Sequence, residues 1–239
     1  MADPRSNETT RWSIQHVTET GSTNTDLLAA AAAGAPHGSV LVTDHQTAGR
    51  GRLGRGWDAP PGVNLLVSIL FREGFAPDRP HEVTQRVAVA AARAAEATVG
   101  VTPDLKWPND LLVDGCKLAG ILAQAASREG RVDHVVVGMG LNLGWAPEGA
   151  ARLDGVARDD LLTAVLAELA DGLRRPIHPE YRTRLATLGQ RVRVERPGGD
   201  LVGVAVDVTT AGELVVDGPQ GLVTVSVGDV VHLRSETGV

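Results

Sequence analysis

Apolar residues in the first four-fifths of the chain form both short strand-like runs and longer helical segments. The helical segments are rich in Ala, Val and Leu, and a glycine follows three of them. We predict helices from a Ser22 or Thr23 cap to near residue 34, and over residues 83–99, 159–173 and 179–188. Strands are predicted over residues 14–17, 39–42, 63–70, 105–107, 111–113, 118–125 and 132–139. This order favours a mixed β-sheet with helices packed on it.

From residue 190 onward the pattern changes to short alternating strands, separated by turn signals such as Pro197-Gly198-Gly199. The predicted strands cover residues 192–195, 201–208, 213–216, 222–227 and 230–233. A segment of about fifty residues with this pattern indicates a small all-β domain, either a barrel or a sandwich. We therefore place a domain boundary near residue 188.

Net charge and cysteine content narrow the possible functions. The formal net charge of −6 argues against general affinity for DNA or an anionic membrane. The single cysteine, Cys116, excludes an intramolecular disulfide and fits a reducing compartment. The sequence shows no signal-peptide core and no apolar run of membrane length. We expect a cytoplasmic protein that binds neither nucleic acid nor membrane.

Three arginines lie close together in residues 49–57, which we call the arginine loop; its sequence is Gly-Arg-Gly-Arg-Leu-Gly-Arg-Gly-Trp. Glycine gives such a segment access to backbone torsions that other residues avoid. Guanidinium groups bind phosphate or carboxylate in a bidentate manner. The loop therefore suits a small anionic ligand, although a solvated turn or a nucleic-acid patch would have a similar composition.

Three other segments carry candidate binding residues. Residues 21–24, Gly-Ser-Thr-Asn, offer small polar side chains at a helix start, where a plain helix cap is the commoner use. Residues 106–110, Lys-Trp-Pro-Asn-Asp, are followed by Lys117, whose neighbours leave the ammonium little room to reach bulk solvent. Asn109 and Asp110 are suited to orienting these lysines or binding a metal, or simply to forming a turn. Residues 138–142 contain two glycines that allow a ligand to approach a strand closely.

In their order and spacing, these motifs resemble those of the biotin protein ligase family, also called holocarboxylase synthetases. The motifs are residues 21–24, 46–55, 106–110, 117–122 and 138–142. The resemblance implies an α+β fold with a mixed sheet and flanking helices, similar to class II aminoacyl-tRNA synthetases. It also implies a ligase catalytic domain over residues 1–188 and a small C-terminal β-barrel over residues 189–239.

The reaction implied by this resemblance has two steps. Biotin first attacks the α-phosphorus of ATP to give biotinyl-5′-adenylate, and the adenylate then passes biotin to a lysine of a carrier domain. That carrier belongs to an acyl-CoA or pyruvate carboxylase, and the ligase is expected to be a monomer or weak homodimer. Magnesium is expected with ATP. With about twenty residues before Ser22, we expect a ligase without the DNA-binding repressor domain of some relatives.

The resemblance also assigns roles to individual residues. The catalytic residues would be Lys117, Arg50 and Arg52. Biotin would be bound by Ser22, Thr23, Asn24, Gln46, Arg50, Gly51, Arg52, Lys117 and Gly120. ATP and the adenylate would be bound by Arg52, Arg55, Trp57, Lys106, Asn109 and Asn142. Asp110 would be a metal ligand. Gln124 occupies a position where the family commonly has an acidic residue.

Three alternatives remain open from the sequence. A lipoate or octanoate ligase would share the fold and the adenylate chemistry. A nucleic-acid-binding module would explain the Gly-Arg alternation, but the net charge and the lack of interleaved aromatic residues argue against it. A biotin-binding protein without ligase activity would not need so many cations suited to phosphate.

Overall fold

Two β-sheets organise the protein, in a computed structural model that describes residues 12–72, 81–128, 131–173 and 175–233. The first sheet comprises β1 (Ser13–Thr20), β2 (Ser39–Gln46), β3 (Leu65–Phe71), β4 (Asp104–Lys106), β5 (Asp110–Val113), β6 (Cys116–Arg128) and β7 (Arg131–Leu141). The second comprises β8 (Arg191–Glu195), β9 (Leu201–Val208), β10 (Leu214–Gly218), β11 (Gly221–Val225) and β12 (Asp229–His232). The described helices are α1 (Thr23–Ala32), α2 (Glu82–Val99), α3 (Arg158–Gly172) and α4 (His178–Arg184).

The first sheet is mixed, as predicted. Its strand order is β1-β2-β3-β7-β6-β5-β4; β1 runs parallel to β2, and the other neighbouring pairs are antiparallel. β3 is buried on both faces because helices cover both. Val67 and Ile69 belong to the large core under α2 and α3, whereas Leu70 packs with Leu27 and Ala31 of α1. Ser68 therefore lies on the α1 face, and this face carries the cavity described below.

The helix predicted over residues 179–188 is wrong in its second half. α4 ends at Arg184, and Leu185 is extended and forms a parallel bridge with Leu105 of β4. The amide of Ala186 then donates to the Leu105 carbonyl at 2.8 Å. Pairing with the edge of the first sheet supplies hydrogen bonds that would otherwise come from another helical turn. The other three predicted helices are present.

The C-terminal strands form an open sheet. Their order is β11-β10-β9-β8-β12, so β11 and β12 lie at opposite edges and are not paired with each other within the described residues. The predicted closed barrel is thus not found in this part of the chain. Residues 234–239, which end the predicted barrel segment, lie outside the described residues.

The two sheets share one hydrophobic core. Leu105 and Trp107 of the first sheet region belong to the same buried cluster as Val192 and Val194 of β8. The buried Trp107 indole donates through Nε1 to the Gly212 carbonyl at 2.9 Å. The division into domains at residue 188 stays a prediction. No helix among the described residues is long and apolar enough to cross a membrane.

Candidate active site

Three glycines form the floor of a cavity on the α1 face of the first sheet. Gly138 and Gly140 of β7 and Gly120 of β6 lie side by side, with Gly120 paired to Gly140. A Cβ atom at Gly138 would overlap the Asn24 amide, and one at Gly140 would overlap the Trp57 ring. Glycine is therefore required because other side chains approach the strand backbone at these points.

One end of the cavity is neutral, and we call it the head pocket: Ser22, Thr23, Asn24 and Gln46 line it, and Ser68 and Gln124 are hydrogen-bonded to lining residues. The start of α1 and the end of β2 are joined where the Thr23 amide donates to Gln46 Oε1 at 2.9 Å. The Thr23 hydroxyl donates to the same oxygen at 3.1 Å. This double contact fixes the Gln46 amide orientation, because its oxygen must face Thr23.

Asn24 is fixed just as firmly. Its Nδ2 donates to the Leu122 carbonyl at 3.1 Å and to Gln124 Oε1 at 2.9 Å. The Ser68 hydroxyl lies 2.6 Å from Asn24 Oδ1 and 2.7 Å from Thr23 Oγ1. Asn24 and Ser68 are 5% and 0% exposed, so the bond between them is made away from solvent, whereas Gln124 is exposed. Both amide hydrogens of Asn24 are used inside the protein, and the head pocket is rigid before any ligand arrives.

The arginine loop crosses the other end of the cavity. A backbone bridge joins Arg50 to Gly56, and the amide of Trp57 donates to the Gly49 carbonyl at 3.0 Å. Between them lies a single 3₁₀ turn, Arg52–Gly54, in which Leu53 has a positive φ of 56° and a side chain 66% exposed. The turn was not predicted. A non-glycine residue at positive φ with no apolar packing is consistent with a segment that changes conformation.

Trp57 lies over the glycine floor, between the loop and the sheet. Its indole Nε1 is buried and has no hydrogen-bond partner among the described residues. A buried donor without a partner costs free energy, and tryptophan usually avoids this state. The side chain is therefore expected to move, or to gain a partner, when the cavity is filled.

Lys117 points into the same space. Its Nζ lies 2.8 Å from Asp110 Oδ1 and 5.6 Å from the centre of the Trp57 ring. Its side chain is 42% exposed and that of Asp110 is 20% exposed, so the ion pair is partly open to solvent and the lysine can exchange to another anion. The two residues are held together because β5 and β6 are adjacent strands of one hairpin.

Arg52 and Arg55 are bound by the second sheet. Arg52 donates to the Gly228 carbonyl at 3.1 Å and to Asn109 Oδ1 at 3.4 Å. Arg55 forms a 2.6 Å ion pair with Asp229. Burial lowers the pKa of the Arg52 guanidinium, and the charges of Asp229 and Asp110 oppose that shift. An arginine stays protonated under either influence, so the cavity keeps this positive charge.

The residues described around the cavity carry a local positive charge in an acidic protein. Four cations, Arg50, Arg52, Arg55 and Lys117, and two carboxylates, Asp110 and Asp229, line it. The enclosed volume is about 120 Å³, whereas pockets for drug-sized ligands measure roughly 300–1,000 Å³. Because Trp57 and the arginine loop occupy this space, a ligand larger than a few atoms requires the loop to move.

The structure brings most of the predicted site residues together. Those that line the cavity are Ser22, Thr23, Asn24, Gln46, Arg50, Gly51, Arg52, Arg55, Trp57, Asn109, Asp110, Lys117 and Gly120. Lys106 and Asn142 are not among the lining residues. Lys106 lies close enough to His232 for its charge to lower the pKa of that histidine, after the larger effect of burial. The ligand contacts assigned to all these residues stay predictions.

Asn142 has a clear structural role. It is 3% exposed, and its Nδ2 donates to the Ala151 carbonyl at 2.9 Å. Its backbone amide donates to the Leu118 carbonyl at 3.0 Å, beside Lys117. Asn142 therefore ties the strand that carries Lys117 to the loop that follows β7.

Sequence reasoning missed two members of the site. Ser68 interrupts the apolar strand Leu65–Phe71, and a lone hydroxyl in such a run could have indicated a buried polar contact. Asp229 gave no comparable signal, because it lies more than 170 residues beyond the arginine loop in an ordinary edge strand.

Few side chains in the cavity could act as metal ligands. Within the described residues, no group of three or more His, Cys, Asp or Glu side chains is arranged to hold a metal ion. The two carboxylates of the cavity are each paired with a cation. Magnesium is commonly held by one or two carboxylates together with substrate phosphates. The site fits a magnesium ion that arrives with a nucleotide, with Asp110 as its candidate protein ligand.

Comparisons with known proteins agree with this geometry. Residues 16–142 match the biotin/lipoate A/B protein ligase family, and residues 187–233 match the biotin protein ligase C-terminal domain. The biotin–[acetyl-CoA-carboxylase] ligase of Mycobacterium tuberculosis is 44% identical, over 91% of this chain and 88% of its own. The corresponding ligase of Paracoccus denitrificans is 28% identical, over 88% and 97% of the two chains.

Solved structures show the same fold. The biotin protein ligase of Aquifex aeolicus in complex with biotin and ATP aligns with a TM-score of 0.76 at 23% identity, covering 93% of this chain and 99% of its own. The Leishmania major ligase in complex with biotinyl-5-AMP aligns with a TM-score of 0.63 at 22% identity, covering 93% and 98%. The family matches and the relative at 44% identity lead to one conclusion: the chain belongs to the biotin protein ligases of the biotin/lipoate A/B protein ligase family.

Proposed function

We propose that this protein is an ATP-dependent ligase that activates biotin as biotinyl-5′-AMP and transfers it to a lysine of a carboxylase carrier domain. The observation that carries this proposal is the division of a single cavity into a neutral head pocket and a cationic end. Biotin has the matching division, with a neutral ureido ring at one end and a carboxylate at the other.

The cationic end suits the adenylation step. A carboxylate and a triphosphate repel each other, and cations placed beforehand offset that repulsion and stabilise charge that develops at phosphorus. Lys117 is the central candidate because its side chain is 42% exposed and paired with one carboxylate, Asp110, which a substrate carboxylate or phosphate can replace. Arg50 and Arg52 would add charge from the loop side.

The head pocket suits the ureido group. Its hydroxyl and amide groups supply both donors and acceptors, and the hydrogen bonds among Thr23, Gln46 and Ser68 hold them in fixed orientations. A pocket that is rigid before binding loses little conformational entropy when the ligand enters. Ser22 and Gln46 would make the direct contacts, with Asn24 and Gln124 as the supporting layer.

The arginine loop would enclose the adenylate. A mixed anhydride hydrolyses when water reaches it, so a loop that closes over it protects the intermediate until the carrier arrives. Trp57 would pack against the adenine from its position over the glycine floor. Bound with ATP, magnesium would neutralise part of the phosphate charge, and Asp110 is its proposed protein ligand.

Finer features of the assignment belong to the same proposal. The carrier would be part of an acyl-CoA carboxylase, and a pyruvate carboxylase carrier is a further candidate. We expect a monomer or weak homodimer in the cytoplasm. A relationship of the first sheet to class II aminoacyl-tRNA synthetases, which the sequence resemblance implies, is part of the same proposal.

ATP–pyrophosphate exchange tests the proposal. The purified protein is assayed with magnesium and ATP in the presence of biotin, lipoate or octanoate in parallel. We expect exchange with biotin alone. Exchange with lipoate or octanoate instead would keep the adenylation chemistry but replace the substrate. Folded protein that exchanges with none of the three acids would refute the ligase assignment. Mass increase of a purified carrier domain by one biotin then tests the second step.

A further inference from the structure

The second sheet supplies part of the active-site wall. Two consecutive residues at the start of β12 meet the arginine loop, with the Gly228 carbonyl accepting from Arg52 and the Asp229 carboxylate paired with Arg55. Asp229 also lines the cavity. Arg52 and Arg55 are thus both bound to a part of the chain that is remote in sequence and belongs to another sheet.

The segment that carries these acceptors, residues 226–229, is firmly held. Asp229 pairs with Glu195 of β8, and a Cβ at Gly228 would press on Val194 and the Glu195 carbonyl. At its other end, His81 Nε2 donates to the Ser226 carbonyl at 2.9 Å, which fastens the segment to the start of α2. The acceptors therefore stay in place while the loop moves.

The turn at the tip of the arginine loop, residues 51–55, lacks comparable anchoring of its own, whereas Trp57 at the end of the loop packs on the glycine floor. Its tip residue, Leu53, is exposed and makes no contribution to the core. The Gly51 amide donates to the Arg55 carbonyl at 2.7 Å, so the backbone of the turn is closed on itself rather than onto the sheet. The contacts of Arg52 and Arg55 with residues 228 and 229 are what join this turn to the rest of the site, together with Arg52–Asn109.

We propose that Asp229 is a positioning residue that holds Arg55, and through it the arginine loop, over the cavity. The carboxylate fixes the loop in the ligand-free enzyme and slows its opening after the adenylate has formed. Asp229 is 20% exposed and Arg55 64%, so the pair is strong enough to bias the loop and weak enough to open. The retention of adenylate rests on the proposed function, whereas the holding of the loop does not.

Hydrogen exchange in the ligand-free protein tests the holding of the loop. The peptide covering residues 49–57 is followed in wild type, Asp229→Asn, and Asp217→Asn as a control that removes an exposed carboxylate from the same sheet. We expect exchange at residues 51, 55 and 57 to be about two- to fivefold faster in Asp229→Asn only, the range for one partly exposed ion pair. Equal rates in wild type and Asp229→Asn would overturn the proposal.

A double-mutant cycle assigns the effect to the pair. Arg55→Gln and Asp229→Asn are measured singly and together by the same exchange experiment. If the residues act through each other, the double variant exchanges no faster than either single variant. Additive rate increases would show that Asp229 does not act through Arg55 and would contradict the proposal. Asp229→Glu, which keeps the charge, should recover part of the protection.

Adenylate retention is measured separately. Enzyme is loaded with biotin and ATP, passed through a desalting column, and sampled for bound biotinyl-5′-AMP over time. We expect Asp229→Asn to lose the intermediate about two- to fivefold faster than wild type and Asp217→Asn. An unchanged rate of loss would refute the retention role. Wild-type enzyme that forms no adenylate would count against the proposed function, while the exchange result would still decide the role of Asp229.

Discussion

The two ends of the cavity are built in opposite ways. The head pocket is held by buried hydrogen bonds between neutral groups, such as Ser68 with Asn24. The cationic end is held by ion pairs open to solvent, such as Lys117 with Asp110 and Arg55 with Asp229. Buried polar networks are rigid, whereas exposed ion pairs contribute only about 0–1 kcal/mol each.

This difference suits the chemistry expected at each end. A neutral ring is recognised by groups that do not move, since every misdirected donor or acceptor would be left without a partner. A charged reactant can instead replace a carboxylate of the protein that is already paired with one of the cations. The protein's own carboxylates thus stay paired with two of the cations until substrate anions arrive, and the cavity retains a net positive charge.

The largest effect is expected from Lys117→Ala. It removes the cation at the centre of the cationic end, and losing one such group lowers rates by about 10²–10³-fold. ATP–pyrophosphate exchange with biotin measures this directly, and biotin binding without ATP should fall far less. The control is Arg182→Ala, which removes a half-exposed cation outside the cavity lining. Near-normal exchange by Lys117→Ala would place the reacting carboxylate elsewhere.

Two glycine substitutions compare the ends directly. Gly138→Ala places a methyl group against Asn24, which buried hydrogen bonds hold in place, so we expect a cost in the free energy of unfolding of about 1–3 kcal/mol. Gly140→Ala places the same group against Trp57 on the arginine loop, which can move away.

Urea denaturation measures both variants, and hydrogen exchange of residues 49–57 follows the loop. Gly140→Ala should unfold close to wild type while its loop exchanges faster. If Gly140→Ala is the more destabilised of the two, the assignment of rigid and movable ends is wrong.

Ser68→Ala tests the supporting layer of the head pocket. The variant leaves Asn24 Oδ1 without its hydroxyl donor, and a neutral hydrogen bond contributes about 0.5–1.5 kcal/mol. We expect the KM for biotin to rise roughly two- to tenfold on that basis, with the KM for ATP unchanged. A change confined to the KM for ATP would show that the two ends are not independent. Circular dichroism checks that the variant is folded.

The smallest of the expected effects is a loss of folding stability in mild acid. Burial lowers the pKa of His81 below 6.5, opposed by its hydrogen bond with the Ser226 carbonyl. The unfolded chain therefore binds a proton more readily than the folded one, so this contribution to stability is present above pH 6.5 and is lost as pH falls below it. His232 has the same direction of shift, also caused first by burial.

Urea midpoints at pH 7.5 and pH 5.5 measure this dependence. His81→Gln keeps a donor for the Ser226 carbonyl but does not titrate, so its midpoint should fall less on acidification. An equal fall in both proteins would remove His81 as the cause.

The sequence predicted those features that depend on local pattern. The strands of the first sheet and α2 followed from apolar periodicity and from Gly100, which ends that helix with a φ of 70°. The motif residues converged on one cavity because each lies at a strand end or helix start that the mixed sheet brings together. Each of these features depends on residues that are close together in the sequence, so a short segment is enough to predict it.

Features that depend on distant pairing were not predicted. α4 ends early because Leu185 pairs with Leu105, some eighty residues away. The second sheet is open rather than a closed barrel because β11 and β12 lie at opposite edges, and the alternation of apolar residues does not record which strands pair. Asp229 enters the site for the same reason. Pairing over such distances leaves no local periodicity to recognise.

Two tryptophans lie at positions where their intrinsic fluorescence reports different structural changes. Trp107 is 1% exposed, and its indole is bonded to Gly212 across the contact between the sheets. Trp57 lies beneath the ammonium of Lys117 on the movable loop. Intrinsic emission from the first should shift to longer wavelength only when the sheets separate, whereas emission from the second should change whenever the cavity opens. Single-tryptophan variants would thus distinguish loss of the fold from opening of the active site without any added label.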